Sequence, residues 1–248
     1  MKKFIIGFLI MAVLILLPGS ILDDTLIESK VQQIKEAIPL IDREVALEPK
    51  EAPTLPDQII LDVPLFNQMD QPMLYNGCEV TSLAMLLNYS GVNVTKNELA
   101  NNIKTVPFNY GNGKKGNPNE GFVGNMATGP GLGVYNGPIF ELAQKYVGGR
   151  AVNLTNQSFD EVLKMVGQGY PVWIITTSNF APVSVLQTWD TPQGKIEITF
   201  NEHSVVITGY DQNYIYINDP YGTKNMKLNR GTFIKAWEQM GKQAITIK

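Results

Sequence analysis

The stretch "HSVVITGYDQNYIYINDP", residues 203–220, decides how this chain is read. Val, Ile, Thr and Tyr fill two runs, 203–210 and 214–220, with the polar Asp211, Gln212 and Asn213 between them. Such runs split by turn residues read as two antiparallel strands joined by a turn. Pairing Tyr210 with Gln212 or Asn213 sets His203 opposite Asp219 or Pro220. Paired Cβ atoms lie about 4.5–5.5 Å apart, so the Asp219 carboxylate comes within reach of the imidazole. An Asp-Pro pair also ends strands for turn reasons alone. Its register with the only histidine of the chain favours a role for Asp219 in orienting that ring.

The chain also has one cysteine, Cys78, in "YNGCEVTSLAMLLNYSG", residues 75–91. Val80, Leu83, Ala84, Leu86 and Leu87 recur at helical spacing, and Gly91 stops the run. The spacing predicts a helix over 78–89 with Cys78 in its first turn. There the unpaired N–H groups and the positive dipole end favour a thiolate, and the same N–H groups can hold an oxyanion. A buried, inert cysteine is the bland alternative. A lone Cys with a lone His elsewhere is a candidate nucleophile and base. Gln68, on the loop before the helix, could add a side-chain amide to an oxyanion hole, or be an ordinary polar loop residue.

Further out, residues 59–66, 171–178, 195–200 and 243–248 read as strands. Residues 95–103, 137–147, 157–169 and 233–240 read as helices, with Thr95 and Ser158 as N-caps. Residues 107–138 form a long Gly- and Asn-rich loop of the kind that serves function. Helices dominate the first half and strands the second, which argues an α+β fold.

At the N-terminus, Lys2 and Lys3 precede an uncharged apolar run at 4–17, followed by Pro18-Gly19-Ser20. That is the layout of a signal peptide, and residues 4–22 can also serve as a membrane tether. Either reading places the domain outside the cytoplasm, secreted or at the cell surface. Residues 23–57, with four prolines, read as a polar linker or stalk, and the globular domain is expected over 58–248.

The net charge of −3, dispersed along the chain, gives no basic face for nucleic acid. "GNGKKG", 111–116, matches a dinucleotide-binding pattern but lacks the strand and helix that would give it meaning. One cysteine and one histidine supply too few ligands for a zinc site, so neither metal nor cofactor is expected. Trp173, Trp189 and Trp237 read as core or cleft wall, and pockets near the first two, with the 107–138 loop, are expected to set specificity.

In order, "VPLFNQMDQPMLYNGCEVTSLAMLLNYSG", "GFVGN…GLGVYNGPIFELAQKY", "GYPVWIITT" and "NEHSVVITGYDQNYIYINDPYG" resemble the C39-like peptidase family of papain-like cysteine peptidases. The resemblance spans about residues 58–248. It implies a papain-like fold, with a helical part carrying the cysteine packed on an antiparallel sheet carrying the histidine. It implies Cys78 as nucleophile, His203 as base and acid, Asp219 as orienter and Gln68 in the oxyanion hole, acting on a peptide or protein substrate. The same site used for acyl transfer or on another amide, such as a cell-wall cross-link, is the second reading. A non-catalytic peptide-binding module is the third.

Overall fold

"VWIITT", residues 172–177, has no polar alternation, and the structure shows why: every one of its residues is buried. Trp173 and Ile175 pack with one set of helices, Val172 and Ile174 with another. A strand covered on both faces has no side to give to water.

The computed structural model describes residues 25, 28–30, 32, 33 and 55–248. In chain order the elements are β1 (Ile59–Ile60), α1 (Cys78–Tyr89), α2 (Lys96–Asn102), β2 (Thr105–Val106), β3 (Phe122–Val123), α3 (Asn136–Val147), β4 (Ala151–Asn153), α4 (Phe159–Gly167), β5 (Val172–Thr177), β6 (Gln187–Thr191), β7 (Gly194–Ile198), β8 (Glu202–Tyr210), β9 (Tyr214–Asp219), β10 (Thr223–Asn229), α5 (Arg230–Gln239) and β11 (Ala244–Ile247). The main sheet runs β10-β9-β8-β5-β11-β4, with β1 added against the far end of β8. All its pairings are antiparallel.

Helices α1, α2 and α3 share one core with Trp173, Ile175, Ile245 and Ile247. Helices α4 and α5 share the other with Val172, Ile174, Ile207 and Ile217. The helices therefore cover both faces of the sheet. Helix α1 is buried along Cys78 to Leu87, with no solvent face in those turns, and its buried Glu79, Thr81 and Ser82 are each hydrogen-bonded. Ser82 Oγ donates to the Ser204 carbonyl at 3.0 Å and fixes α1 onto β8.

Chain Met1–Thr54 and chain Leu55–Lys248 separate as two units. In the first, the described residues are helical and exposed. The apolar run at 4–22 and most of the 23–57 segment lie outside the described residues. No helix among the described residues is long and apolar enough to cross a membrane.

Several sequence expectations shift. The 59–66 strand is only β1, because Leu61 and Asn218 take up the backbone that follows: Leu61 N–H donates to Thr208 O and Asn218 Nδ2 donates to Val63 O. Strands β6 and β10 lie in polar stretches that gave no apolar signal. The 107–138 loop contains β3, which pairs in parallel with β2. It packs on the β6–β7 ribbon through Phe108 and Trp189, ring centroids 5.5 Å apart. Trp173 is fully buried, so it walls no pocket.

Candidate active site

The hairpin β8–β9 carries the histidine and the aspartate, but in a different register from the one the sequence suggested. Asp211 accepts from the N–H groups of Asn213 and Tyr214, both at 2.8 Å, and builds a wider turn. Tyr210 therefore pairs with Ile215, and the ladder reaches Val206↔Asn218 after an irregularity between Ile207 and Gly209. Carried one step further, Asp219 faces Val205, and His203 reaches it on the diagonal, a separation long side chains can span.

The contact is made. His203 Nε2 lies 3.0 Å from Asp219 Oδ1, with both side chains almost wholly buried. The same oxygen accepts the Tyr221 backbone N–H at 3.0 Å. A carboxylate can only accept, so Nε2 carries the proton and Nδ1 presents its lone pair. The Tyr221 ring stacks on the imidazole at 5.2 Å and 20°. Asn218, beside Asp219, anchors this corner: its Nδ2 donates to Val63 O at 3.0 Å and its Oδ1 accepts the Asn225 N–H at 3.0 Å.

Cys78 opens α1. Its N-cap is Gly77, which supplies no side-chain hydrogen bond, so the first-turn N–H groups are left without a side-chain cap. Glycine is required there, because a Cβ at 77 would lie 2.5 Å from that of Leu74. The indole of Trp173 donates to the Glu79 carbonyl at 3.0 Å and pins this turn to the sheet. The Ser204 backbone N–H, next to His203, favours the charged sulfur. Glu202, the residue before His203, brings a carboxyl oxygen within 4.8 Å of Cys78 Sγ, which sets the start of β8 beside the start of α1.

The charge state differs from the expectation of a thiolate favoured by the helix end. Burial first, then the charges of Glu79 and Glu202, push the Cys78 thiol well above its ordinary range. Its hydrogen bond goes to Glu79 Oε2 at 3.4 Å and not to the imidazole. In this state Cys78 is a thiol.

Gln68 is buried on the loop that leads to α1. Its Nε2 donates to Tyr75 O at 2.9 Å and Leu74 O at 3.3 Å, so the amide braces that loop. Its Oε1 is buried without a partner. The Gln68 backbone N–H donates to Pro220 O at 2.7 Å, which joins the loop to the Asp219 corner. Lys96 holds the loop from behind, with Nζ on Asp70 O at 2.8 Å and Pro72 O at 2.6 Å.

Two residues that the sequence reading passed over are Glu79 and Glu202, which flank the cysteine and the histidine in sequence. Glu79 is fully buried and Glu202 is 9% exposed. Glu79 Oε1 accepts the Val134 N–H at 2.6 Å. Burial pushes the Glu79 carboxyl up to about 7, and burial and the neighbouring Glu79 push Glu202 well up. Their position one residue from Cys78 and from His203, in Gly-Cys-Glu and Asn-Glu-His, was the available signal.

Met69, Met73, Tyr75 and Tyr221 are exposed apolar side chains on the two loops that hold Gln68 and Asp219. Two grooves, of about 350 and 570 Å³, lie elsewhere; neither is lined by Cys78, His203 or Asp219.

Comparisons with known proteins identify the family. The model of the Peptidase_C39 like family matches residues 60–245. The uncharacterized protein YvpB of Bacillus subtilis (strain 168) is 61% identical over 188 residues, covering 76% of this chain and 75% of that one. A crystal structure from Bacillus anthracis superposes with a TM-score of 0.74 at 50% identity. That structure, described in its own words as a "putative C39-like peptidase from Bacillus anthracis", covers 77% of this chain and 97% of its own. With the family matched over most of its length and the helix-and-antiparallel-sheet fold in common, this chain belongs to the Peptidase_C39 like family and has its papain-like α+β fold.

Proposed function

We propose that this protein is a thiol hydrolase that cleaves peptide bonds through an acyl-enzyme on Cys78. The observation that carries the reading is the His203–Asp219 contact, with Glu202 next to that histidine holding a carboxyl oxygen within 4.8 Å of the sulfur of the only cysteine. A buried thiol is a weak nucleophile until a base takes its proton. His203 Nδ1, left free by the Nε2–Asp219 bond, is that base.

The Cys78 sulfur attacks the carbonyl carbon as its proton passes to Nδ1. The oxygen that becomes negative is received by the Cys78 N–H, with Gln68 Nε2 as a second donor once it exchanges a loop carbonyl for the oxyanion. Such a donor is worth about 10²–10³ in rate. The imidazolium returns the proton to the leaving amine. Water then gives a proton to Nδ1 as it attacks the thioester, and the proton passes on to the departing sulfur, which restores the thiol of Cys78 and frees the acid.

The exposed Met69, Met73, Tyr75 and Tyr221 support an extended polypeptide as substrate, because they offer an open apolar rim rather than an enclosed pocket. The apolar run at 4–17 behind two lysines supports action outside the cytoplasm, by export or by an N-terminal tether.

The test is hydrolysis of a peptide library by the reduced protein, with wild type set against Cys78→Ala and His203→Ala. Cleavage that both substitutions abolish supports the proposal. Cleavage that survives either one overturns it. A competing amine in the same assay identifies transfer, since an amine that resolves the thioester appears in the product.

A further inference from the structure

The sulfur of Cys78 and a carboxyl oxygen from each of Glu79 and Glu202 lie within 4.8 Å of one another. We propose that these three side chains form a binding site for a divalent cation of the zinc class, whose occupation takes the nucleophile out of use.

The spacing fits. A tetrahedral zinc with bonds of about 2.3 Å to sulfur and 2.1 Å to oxygen sets a sulfur–oxygen edge of about 3.6 Å. Cys78 Sγ and Glu79 Oε2 are already 3.4 Å apart. The site also has an unanswered demand. Glu202 is more than nine-tenths buried, and its Oε1 has no hydrogen-bond partner. Among the described residues, no lysine, arginine or histidine forms an ion pair with either carboxyl. Buried acidic groups are ordinarily paired or bound to a metal.

The site is also formed in advance. The Val134 N–H holds Glu79 Oε1, and Trp173 holds the Glu79 carbonyl. Gly133 packs so tightly that a Cβ would lie 2.5 Å from Glu202 Oε2 and 2.6 Å from Glu79 Oε1. Its lack of a side chain is what lets the two carboxyls share one wall.

A thiolate with two carboxylates suits zinc, while magnesium and calcium prefer oxygen alone. Three protein ligands leave a fourth corner for water. The incoming ion displaces the thiol proton and any carboxyl proton to solvent. Its bond to sulfur then occupies the electron pair that attacks the carbonyl. Metal binding does not depend on the hydrolytic reading above; the loss of hydrolysis on binding does.

The reduced full chain is titrated with Co²⁺ and then Zn²⁺, with Mg²⁺ as the control. One Co²⁺ per chain is expected, with a thiolate-to-cobalt charge-transfer band that Zn²⁺ abolishes and Mg²⁺ leaves unchanged. Zn²⁺ should slow alkylation of Cys78 by iodoacetamide about 10-fold or more, reversed by EDTA. Glu202→Gln should bind Zn²⁺ about 10–100-fold more weakly, since removal of even an outer partner costs that much, yet alkylate freely in EDTA. No charge-transfer band in wild type, or unchanged affinity in Glu202→Gln, overturns the proposal. If that variant fails to fold, Glu79→Gln, which keeps an acceptor for Val134, takes its place. Intact metal binding without any peptide hydrolysis would overturn the proposed function alone.

Discussion

His203 and Asp219 meet through a 3.0 Å contact between Nε2 and Oδ1, although they are diagonal and not opposite on the β8–β9 ladder. In the proposed reaction the aspartate does two separable things. Its oxygen accepts Nε2–H, which sets the tautomer, and its charge would support the imidazolium formed when the base takes the thiol proton. Asp219→Asn keeps an acceptor on the same atom and loses the charge. Asp219→Ala loses both. The expected order of kcat is wild type, then Asn, then Ala, with the Ala variant down about 10²–10⁴-fold. Steady-state kinetics of the three proteins checks this; equal loss in Asn and Ala would mean that charge alone matters.

Tyr221 covers one face of the imidazole at 5.2 Å, and its own ring is 55% exposed. The hydroxyl takes no part in that stacking. Tyr221→Phe is therefore expected to match wild type in kcat. Tyr221→Ala bares the ring and should lower kcat about tenfold, because a stacked aromatic neighbour is worth about 0.5–1.5 kcal/mol. The backbone N–H to Asp219 survives both changes, so the comparison isolates the ring.

What could be read from sequence followed the range of the forces involved. Helix α1 starts and stops where its apolar spacing said, at Cys78–Tyr89. The caps Thr95 and Ser158 accept from Glu98 N and Glu161 N as their local patterns required. Both depend on neighbours within a few residues. The β8–β9 register was missed because Asp211 binds two backbone amides and widens the turn, a choice not dictated by apolar alternation. Strand β10, "TKNMKLN", lies at the sheet edge with Met226 and Leu228 as its only apolar residues and carries no strand signature. Sequence shows the two glutamates beside Cys78 and His203 but not their meeting, because the Glu79–Glu202 pair exists only once α1 docks on β8.

The raised Glu79 carboxyl makes stability depend on pH. Unfolded, it ionises near its ordinary 4.5; folded, burial holds the proton until about 7. Below 4.5 both states keep the proton. As pH rises through this window the unfolded chain releases it first, so stability falls, by up to about 3 kcal/mol once the folded pKa is passed. Glu79→Gln removes that ionisation. Urea unfolding in EDTA at pH 5 and pH 8 should show a smaller loss in the variant than in wild type. At pH 7 the variant should also alkylate faster at Cys78, because the carboxylate no longer opposes the thiolate. An identical pH dependence in both proteins would remove Glu79 as the source.

Lys96 offers the last test, at some distance from the sulfur. Its Nζ donates to Asp70 O at 2.8 Å, Pro72 O at 2.6 Å and Asn97 Oδ1 at 3.1 Å, and burial lowers its pKa. These bonds hold the loop whose Gln68 carbonyl accepts the Leu74 N–H at 2.9 Å and whose Gln68 N–H reaches Pro220. Lys96→Met keeps the stem in place and removes the donors, at an expected cost of about 2 kcal/mol, because hydrogen bonds to charged groups are the stronger kind. The amides of Gln68 and Leu74 should then exchange hydrogen faster while those of β5 and β8 stay protected. A loop released in this way misplaces Gln68 without touching Cys78 or His203. The expected kinetic result is a lower kcat with iodoacetamide labelling of Cys78 unchanged. If Gln68 and Leu74 keep wild-type protection, the lysine does not hold the loop, and the rate should not change either.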